Sequence, residues 1–270
     1  MNVLISVDME GISGVVSWDH VTPDRPEYGR FRRLMTAETN AAIEGALAGG
    51  ATRVVVNDSH DRMTNLLTEE LHPAAELITG SPKPFSMMAG IDGGVERAFF
   101  VGYHAAAGTT TAVLSHTWSG AVSQLWLNGH LVGETGLNAA LAGAFGVPVV
   151  LVTGDRAVTE EARALLGAAV ETIAVKDGLS HTAARCLHPE EARARIRRAA
   201  ERAMRLTLPP FTLTPPINLR VVFQRPLHAD QAAIMPGCVR VDERTIEWSG
   251  PDMPTAYRAW EALTSLVSGE

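Results

Sequence analysis

The sequence has few cysteines and no long apolar run, which are the features that would indicate a disulfide-rich or a membrane-spanning protein. Cysteine occurs only twice in 270 residues, at Cys186 and Cys238, which is too few for a disulfide framework or a cysteine-rich zinc module. No apolar run approaches the roughly 20 residues of a membrane-spanning helix. The first apolar run is interrupted by Asp8 and lacks a basic start, so we expect no signal peptide. These absences predict a cytoplasmic protein without a membrane partner.

Positive charge is also scarce. The formal net charge is −7 at pH 7, and a chain with this balance is a poor candidate for binding the phosphate backbone of a nucleic acid. The hydrophobic fraction of 46% is ample for a folded core and excludes an intrinsically disordered chain. The length has room for one large or two modest domains.

The pattern along the chain predicts an α/β protein. Apolar strand-like runs alternate with helical patterns over residues 1–178, which is typical of a mostly parallel sheet flanked by helices. Examples are a helix over 30–48, a short helix near 63–71 and a hairpin whose turn is Asn128-Gly129. After Lys176 the regular alternation of strands and helices ends. The pattern over residues 179–270 predicts a smaller α+β unit, which we expect to contribute to packing and oligomerisation.

Three of the apolar runs end in side chains that bind metals. The first leads into Asp8 and Glu10, the second into His60 and the third into His104. Residues two apart in an extended chain project from the same face, so both carboxylates can converge on one point. Open α/β sheets bind ligands beyond the carboxyl ends of their strands. Each residue alone also fits a cap, turn or structural role, but their convergence favours a metal site.

Three further residues are more ambiguous. Glu134 precedes a predicted helix, where a carboxylate is often a cap stabilised by the helix dipole. Asp155 follows a strong strand and is equally well explained as a cap. His116 lies twelve residues beyond His104, after a loop of small residues that suits a segment lining a cleft.

At this point the residues match a known family. The chain resembles the zinc-dependent D-aminopeptidases of peptidase family M55, whose founding members belong to dipeptide-transport operons. The resemblance runs nearly end to end, and the string SVDMEGISG is its most specific part. The matching segments are 6–14, 56–60, 82–87, 102–104, 114–116, 133–138 and 235–237.

The resemblance implies a site with two zinc ions per chain and a catalytic histidine at His116. It also implies a cytoplasmic, ring-like homo-oligomer, with a decamer as one candidate size, whose active sites face an internal channel. The ligands that it implies are Asp8, Glu10, His60, His104 and Glu134.

The number of ligands agrees with this implication. A catalytic zinc takes three protein ligands and keeps one position for water. Five side chains exceed one such site and fall short of two, and a bridging carboxylate, for which Asp8 is best placed, closes the gap. Carboxylate and imidazole ligands suit Zn²⁺ but also Mn²⁺ and Co²⁺.

The function predicted from these observations is removal of N-terminal D-residues, of the D-Ala type, from short peptides by metal-activated water. His116 is expected to transfer protons or to stabilise the oxyanion, with a covalent role as the weaker alternative. Two other functions stay open. One is a metal-dependent aminopeptidase or amidohydrolase of the same fold that acts on L-peptides or other small amides, and the other is a peptide-binding component of a transport system.

Overall fold

The computed structural model describes residues 1–267 and contains two sheets. The strands are β1 (Asn2–Val7), β2 (Arg53–Asp58), β3 (Ala75–Ile78), β4 (Arg97–Tyr103), β5 (Val122–Leu127), β6 (His130–Val132), β7 (Val149–Asp155), β8 (Glu171–Ser180), β9 (Ala183–Cys186), β10 (Ile217–Phe223), β11 (Val239–Arg240) and β12 (Thr245–Gly250). The larger sheet has seven strands in the order β3-β2-β1-β4-β7-β8-β9, and all neighbours are parallel except β8 and β9. The smaller sheet is antiparallel, in the order β11-β12-β10-β5-β6.

Seven α-helices within residues 1–267 pack on these sheets. The two short 3₁₀ turns are Thr68–Glu70 and Ser86–Met88. The helices are α1 (Trp18–Val21), α2 (Tyr28–Ala48), α3 (Glu134–Ala144), α4 (Arg156–Leu166), α5 (Pro189–Ala203), α6 (Pro226–Ala232) and α7 (Met253–Val267). None of the helices in this part of the chain is long and apolar enough to cross a membrane.

The large sheet is apolar on both faces because helices or the second sheet cover each of them. On one face Val3 and Ile5 pack with α2 and α5, whereas on the other Leu4 packs with the small sheet and with α7. Successive side chains of a strand point to opposite faces, so the continuous apolar run of β1 supplies both cores. The carboxyl ends of β2, β1 and β4 therefore lie side by side at one protected edge.

The fold class predicted from the sequence is confirmed, as is the hairpin, now β5 and β6 around Asn128-Gly129. The short helix expected near 63–71 is wrong, because this segment is a loop that ends in the turn Thr68–Glu70. The Asp58 carboxylate accepts the backbone N–H groups of Asn65 and Leu66 at 2.5 and 2.7 Å and so binds the loop to the end of β2. Side chains that bond local backbone in this way compete with helix formation.

The division of the chain near residue 178 stays a prediction. Residue 178 lies inside β8, and the hairpin β5–β6 pairs with β10 of the later segment. Five helices and strands had not been expected from the pattern: α1, β3, α4, β9 and α6.

Candidate metal centre

The ends of β1, β2 and β4 bring three of the predicted site residues together. Asp8 follows the last residue of β1, and its N–H donates to Val101 O of β4 at 2.8 Å. His60 follows β2 by two residues, and His104 follows β4 directly. Because β1 pairs in parallel with both β2 and β4, these side chains share one sheet edge.

Two glycines permit the close crossing of the chain at this edge. Gly11 N–H donates to Gly102 O at 2.8 Å, and a Cβ on Gly11 would lie 2.0 Å from Tyr103 O. Gly102 has a φ of +72°, and a Cβ there would lie 2.2 Å from Asp8 O. Any side chain at either position would separate Glu10 from His104, so glycine is required by the geometry of the site.

His60 is held so that one ring nitrogen faces two carboxylates. Its Nε2 lies 2.8 Å from Val21 O, and since a carbonyl only accepts, this nitrogen carries the hydrogen. Its Nδ1 lies 3.3 Å from Asp8 Oδ1 and 3.0 Å from Glu10 Oε2. In the neutral ring, the Nδ1 lone pair therefore points at two carboxylate oxygens.

His104 has the same arrangement with its nitrogens exchanged. Nδ1 lies 3.1 Å from Ala105 O, to which it donates, and Nε2 lies 3.4 Å from both Asp8 Oδ2 and Glu134 Oε1. The two oxygens of Asp8 thus face two different histidines. A carboxylate placed in this way has the geometry of a bridge between two cations.

Glu134 and His116 complete the cluster. Glu134 begins α3 without capping it, and Oε1 accepts the backbone N–H of Trp118 at 2.6 Å. The His116 ring stacks on that of His104 at 4.1 Å between centroids. Its Nδ1 donates to Leu114 O at 2.9 Å, and its Nε2 lies 3.8 Å from Glu134 Oε1.

The buried polar atoms of this cluster are short of partners. Asp8 Oδ2, Glu10 Oε2 and His104 Nε2 make no hydrogen bond within the described part of the chain. Buried polar atoms are normally satisfied, and acceptors that face one another need a cation between them. Carboxylate and imidazole donors at these distances are those that zinc-type divalent ions take. The residues present therefore fit a divalent metal.

The charges respond strongly to this crowding. Burial, together with the neighbouring Glu10 carboxylate, raises the pKa of Asp8 to about 7. Burial by itself would lower the pKa of His60, but Glu10 and Asp8 raise it well above its usual value. Burial by itself would raise the pKa of Glu10, but the nearby His60 outweighs the effect of burial and holds the pKa of Glu10 well below its usual value. A nearby positive charge stabilises these carboxylates in their ionised form, and either a protonated histidine ring or a metal ion can supply that charge.

His116 differs electrostatically from His60 and His104. Burial, followed by the charge of the neighbouring His104, lowers the pKa of His116 below its usual value. The ring is also more exposed than the other two, at 18% of its side chain. A neutral, partly accessible imidazole can accept a proton, and its lone pair can also bind a metal, since His116, His104 and Glu134 form one of the groups that could hold an ion.

Asp155 is a structural residue. Its Oδ1 accepts the N–H of Val158 at 2.9 Å and caps α4, and its Oδ2 accepts the N–H of Val113 at 2.8 Å. The second bond fixes the loop that leads to His116. Asp155 therefore supports the site from behind without facing the cluster.

Sequence reasoning missed one supporting residue, Lys176. This buried ammonium donates to the backbone carbonyls of Glu10, Ile12 and Val15, the last two at 3.0 and 2.7 Å. Burial lowers the pKa of Lys176 to about 8. A lysine directly after the apolar residues of β8 was the available signal, because lysine is seldom fully buried without a specific partner.

The cluster opens into a cavity of about 780 Å³. This volume lies in the range of small-molecule sites. Its lining includes five residues of the cluster, together with residues of α7 and of the loops that follow β2 and β3; the cluster residues are Asp8, Glu10, His60, His116 and Glu134.

Comparison with known proteins agrees with this geometry. The model of a family described as Peptidase M55, D-aminopeptidase, matches residues 1–262. The chain belongs to peptidase family M55. A D-aminopeptidase from Bacillus subtilis (strain 168) is 40% identical over 270 residues, which cover 99% of this chain and 98% of that protein.

A solved structure has the same fold at full length. It is described as the zinc-dependent D-aminopeptidase DppA from Bacillus subtilis, a self-compartmentalizing protease, and it superposes with a TM-score of 0.97 at 38% identity. The match covers 100% of this chain and 99% of that one. The family predicted from the sequence is therefore confirmed, together with its class, a metallo-aminopeptidase that hydrolyses peptide bonds.

Proposed function

We propose that this protein is a binuclear zinc aminopeptidase that removes N-terminal D-residues, of the D-Ala type, from short peptides. One observation carries the proposal: the two oxygens of Asp8 face His60 and His104 separately, at 3.3 and 3.4 Å. A single bridging carboxylate makes five side chains sufficient for two ions. The relatives described as D-aminopeptidases supply the stereochemical part of the proposal.

The proposed ligands fall into two groups that share Asp8. Glu10 and His60 lie on one side of Asp8, and His104 and Glu134 on the other. Zinc held there would polarise the scissile carbonyl and make water a nucleophile near neutral pH. The protein fixes the direction of the two ligand histidines by the backbone carbonyls of Val21 and Ala105. Such bonds orient a metal-binding imidazole and set its tautomer.

His116 moves protons in this proposal. Because Nδ1 donates to Leu114 O, the lone pair of the neutral ring is at Nε2. This nitrogen accepts a proton during attack on the peptide bond and returns it to the leaving amine. The stacking on His104 and the T-shaped contact with Trp18, at 5.3 Å between centroids, hold the ring at the cavity wall.

The experiment that tests the function compares D-Ala-D-Ala with L-Ala-L-Ala on zinc-loaded protein. Inversion at Cα exchanges the side chain with another substituent, so an L-residue would meet the wall where a D-residue fits. A clash of about 3 kcal/mol gives roughly 10²-fold discrimination in kcat/KM. Chelated protein is the control and should be inactive on both peptides.

Equal kcat/KM values, or a preference for L-Ala-L-Ala, would leave a metallopeptidase and remove the stereochemical claim. Chelator-resistant hydrolysis would contradict the metal mechanism. A protein that binds the peptide without turnover would instead be the binding component of a transport system.

We extend the proposal to the assembly and the compartment: a ring-like homo-oligomer, with a decamer as one candidate size, that works in the cytoplasm. The support for the assembly is the relative described as a self-compartmentalizing protease. A molar mass measured by light scattering at several concentrations tests it, and a monomer at every concentration would contradict it.

A further inference from the structure

A lysine side chain lines the same cavity as the metal cluster. Lys83 lies on the wall and is partly buried. Its Nζ donates to Asp58 O at 2.5 Å, which is the last residue of β2. An ammonium has three donors, so two remain after this bond.

No carboxylate forms a hydrogen bond or an ion pair with the Lys83 ammonium within residues 1–267. Asp58 contacts the ammonium only through its backbone carbonyl oxygen. Its carboxylate accepts the N–H of Leu66 and both the N–H and the side-chain amide of Asn65. Burial lowers the pKa of Lys83 to about 8, and the charge of the Asp58 carboxylate, which does not contact the ammonium, opposes this shift. A partly desolvated cation that no carboxylate contacts is an attractive site for an anion.

The position of Lys83 limits the length of a peptide that could reach it. Lys83 Nζ contacts Asp58 O, and because Asp58 precedes His60 by two residues, the Cα atoms of these two residues lie at most about 7 Å apart. The same span is covered by roughly two residues of an extended substrate. A peptide whose N-terminal residue is at the metal cluster would therefore bring its C-terminal carboxylate near Lys83 only if it is very short.

We propose that Lys83 binds the free C-terminal carboxylate of the substrate and so selects dipeptides and similarly short peptides over longer chains and amides. This inference rests on the proposed aminopeptidase function and names its substrate class. The cation on the cavity wall and the carboxylate-rich metal cluster then recognise opposite ends of the same molecule. The backbone bond to Asp58 O holds the ammonium in place for this contact.

The test compares D-Ala-D-Ala with D-Ala-D-alaninamide in the wild-type protein and in Lys83→Met, both loaded with zinc. A charge-assisted hydrogen bond contributes about 1.5–3 kcal/mol, which corresponds to a factor of roughly 10 to 150 in kcat/KM. We expect the wild type to prefer the free acid by about this factor. In Lys83→Met kcat/KM should fall for the acid, mainly through KM, and stay within about twofold for the amide.

Arg62→Met is the matched control, because Arg62 is an exposed cation on the same cavity rim whose nearest carboxylate is Asp61 at 3.9 Å. It should retain the preference for the acid. If Lys83→Met loses activity on acid and amide equally, Lys83 only supports the backbone of β2 and the proposal is wrong. A wild type that cleaves acid and amide equally also overturns it. Failure to cleave any D-peptide contradicts the proposed function instead.

Discussion

Replacement of Lys176 by methionine would test how the Glu10 segment is held. The change keeps an unbranched chain of similar length and removes only the ammonium, so packing within the core is largely preserved. Three carbonyls lose their donor: those of Glu10, Ile12 and Val15. Ile12 O still accepts the N–H of Val15 at 3.1 Å. Glu10 O and Val15 O accept no other hydrogen bond within the described residues.

Two opposing contributions set the change in stability. Leaving two buried carbonyls without donors costs about 1–3 kcal/mol each. Against this, folding lowers the pKa of Lys176 from 10.5 to about 8, and a shift of this size means that keeping the group charged costs about 3 kcal/mol. The contributions nearly cancel, so we expect the free energy of unfolding at pH 7 to change by less than about 3 kcal/mol.

The loss should instead concentrate at the metal site. Glu10 projects its carboxylate from the segment that Lys176 holds, and loss of a supporting contact typically weakens metal binding by about 10- to 100-fold. Titration calorimetry with zinc measures the affinity, and urea unfolding of chelated protein measures stability. Arg185→Met is the control, because Arg185 is exposed and pairs with Asp177, the neighbour of Lys176.

A pH series adds a signature that packing alone would not produce. Because the folded pKa is below the unfolded one, the unfolded state binds more protons between about pH 8 and 10.5. The wild type should therefore gain stability over this range, and Lys176→Met should lack that gain. Unchanged zinc affinity in a folded Lys176→Met variant would refute the supporting role.

Three further predictions follow from the site and the core. Asp8→Ala should lose both metal ions by elemental analysis, whereas His60→Ala should mainly weaken one; full metal retention in Asp8→Ala would remove the bridge. His116→Ala should keep its metal and fold while kcat falls about 10²-fold or more, and wild-type turnover would refute its proton-transfer role. Burial raises the pKa of Glu38 from 4.5 to about 7, so wild-type stability should decline as pH rises from 4.5 to 7. Glu38→Gln should abolish roughly 2–3 kcal/mol of that decline in urea unfolding, and an identical pH profile would contradict this assignment.

The site residues at the strand ends could be predicted because short stretches of sequence identify both the buried strands and the polar side chains that follow them. Apolar runs identify buried parallel strands, and the rule that ligands bind at their carboxyl ends then places Asp8, His60 and His104 together. The observed pairing of β1 with β2 and β4 supplies the adjacency that this reasoning assumed. Glu134 was ambiguous for a local reason, since a ligand and a helix cap both place a carboxylate at the first turn.

The rest depended on contacts between distant parts of the chain. Lys176 reaches carbonyls more than 160 residues earlier in the sequence, and no periodic pattern encodes such a contact. The loop after His60 was mistaken for a helix because its backbone N–H groups bind the Asp58 side chain instead of one another. In both cases a single polar side chain decides the path of a segment, and side-chain reach is not visible in hydrophobic periodicity.

The placement of the lysines has a practical consequence for handling the protein. Lysine occurs at only two positions, 83 and 176, and every other residue of the Lys/Arg class is arginine. Lys176 is 2% exposed, whereas Lys83 opens into the cavity and has the lowered pKa that makes an amine nucleophilic. Acylating dyes, amine-directed cross-linkers and aldehyde fixatives, usually regarded as surface reagents, would thus find their reactive lysine inside the cavity beside the metal cluster. Cysteine- or carboxyl-directed attachment would leave that cavity unmodified at Lys83.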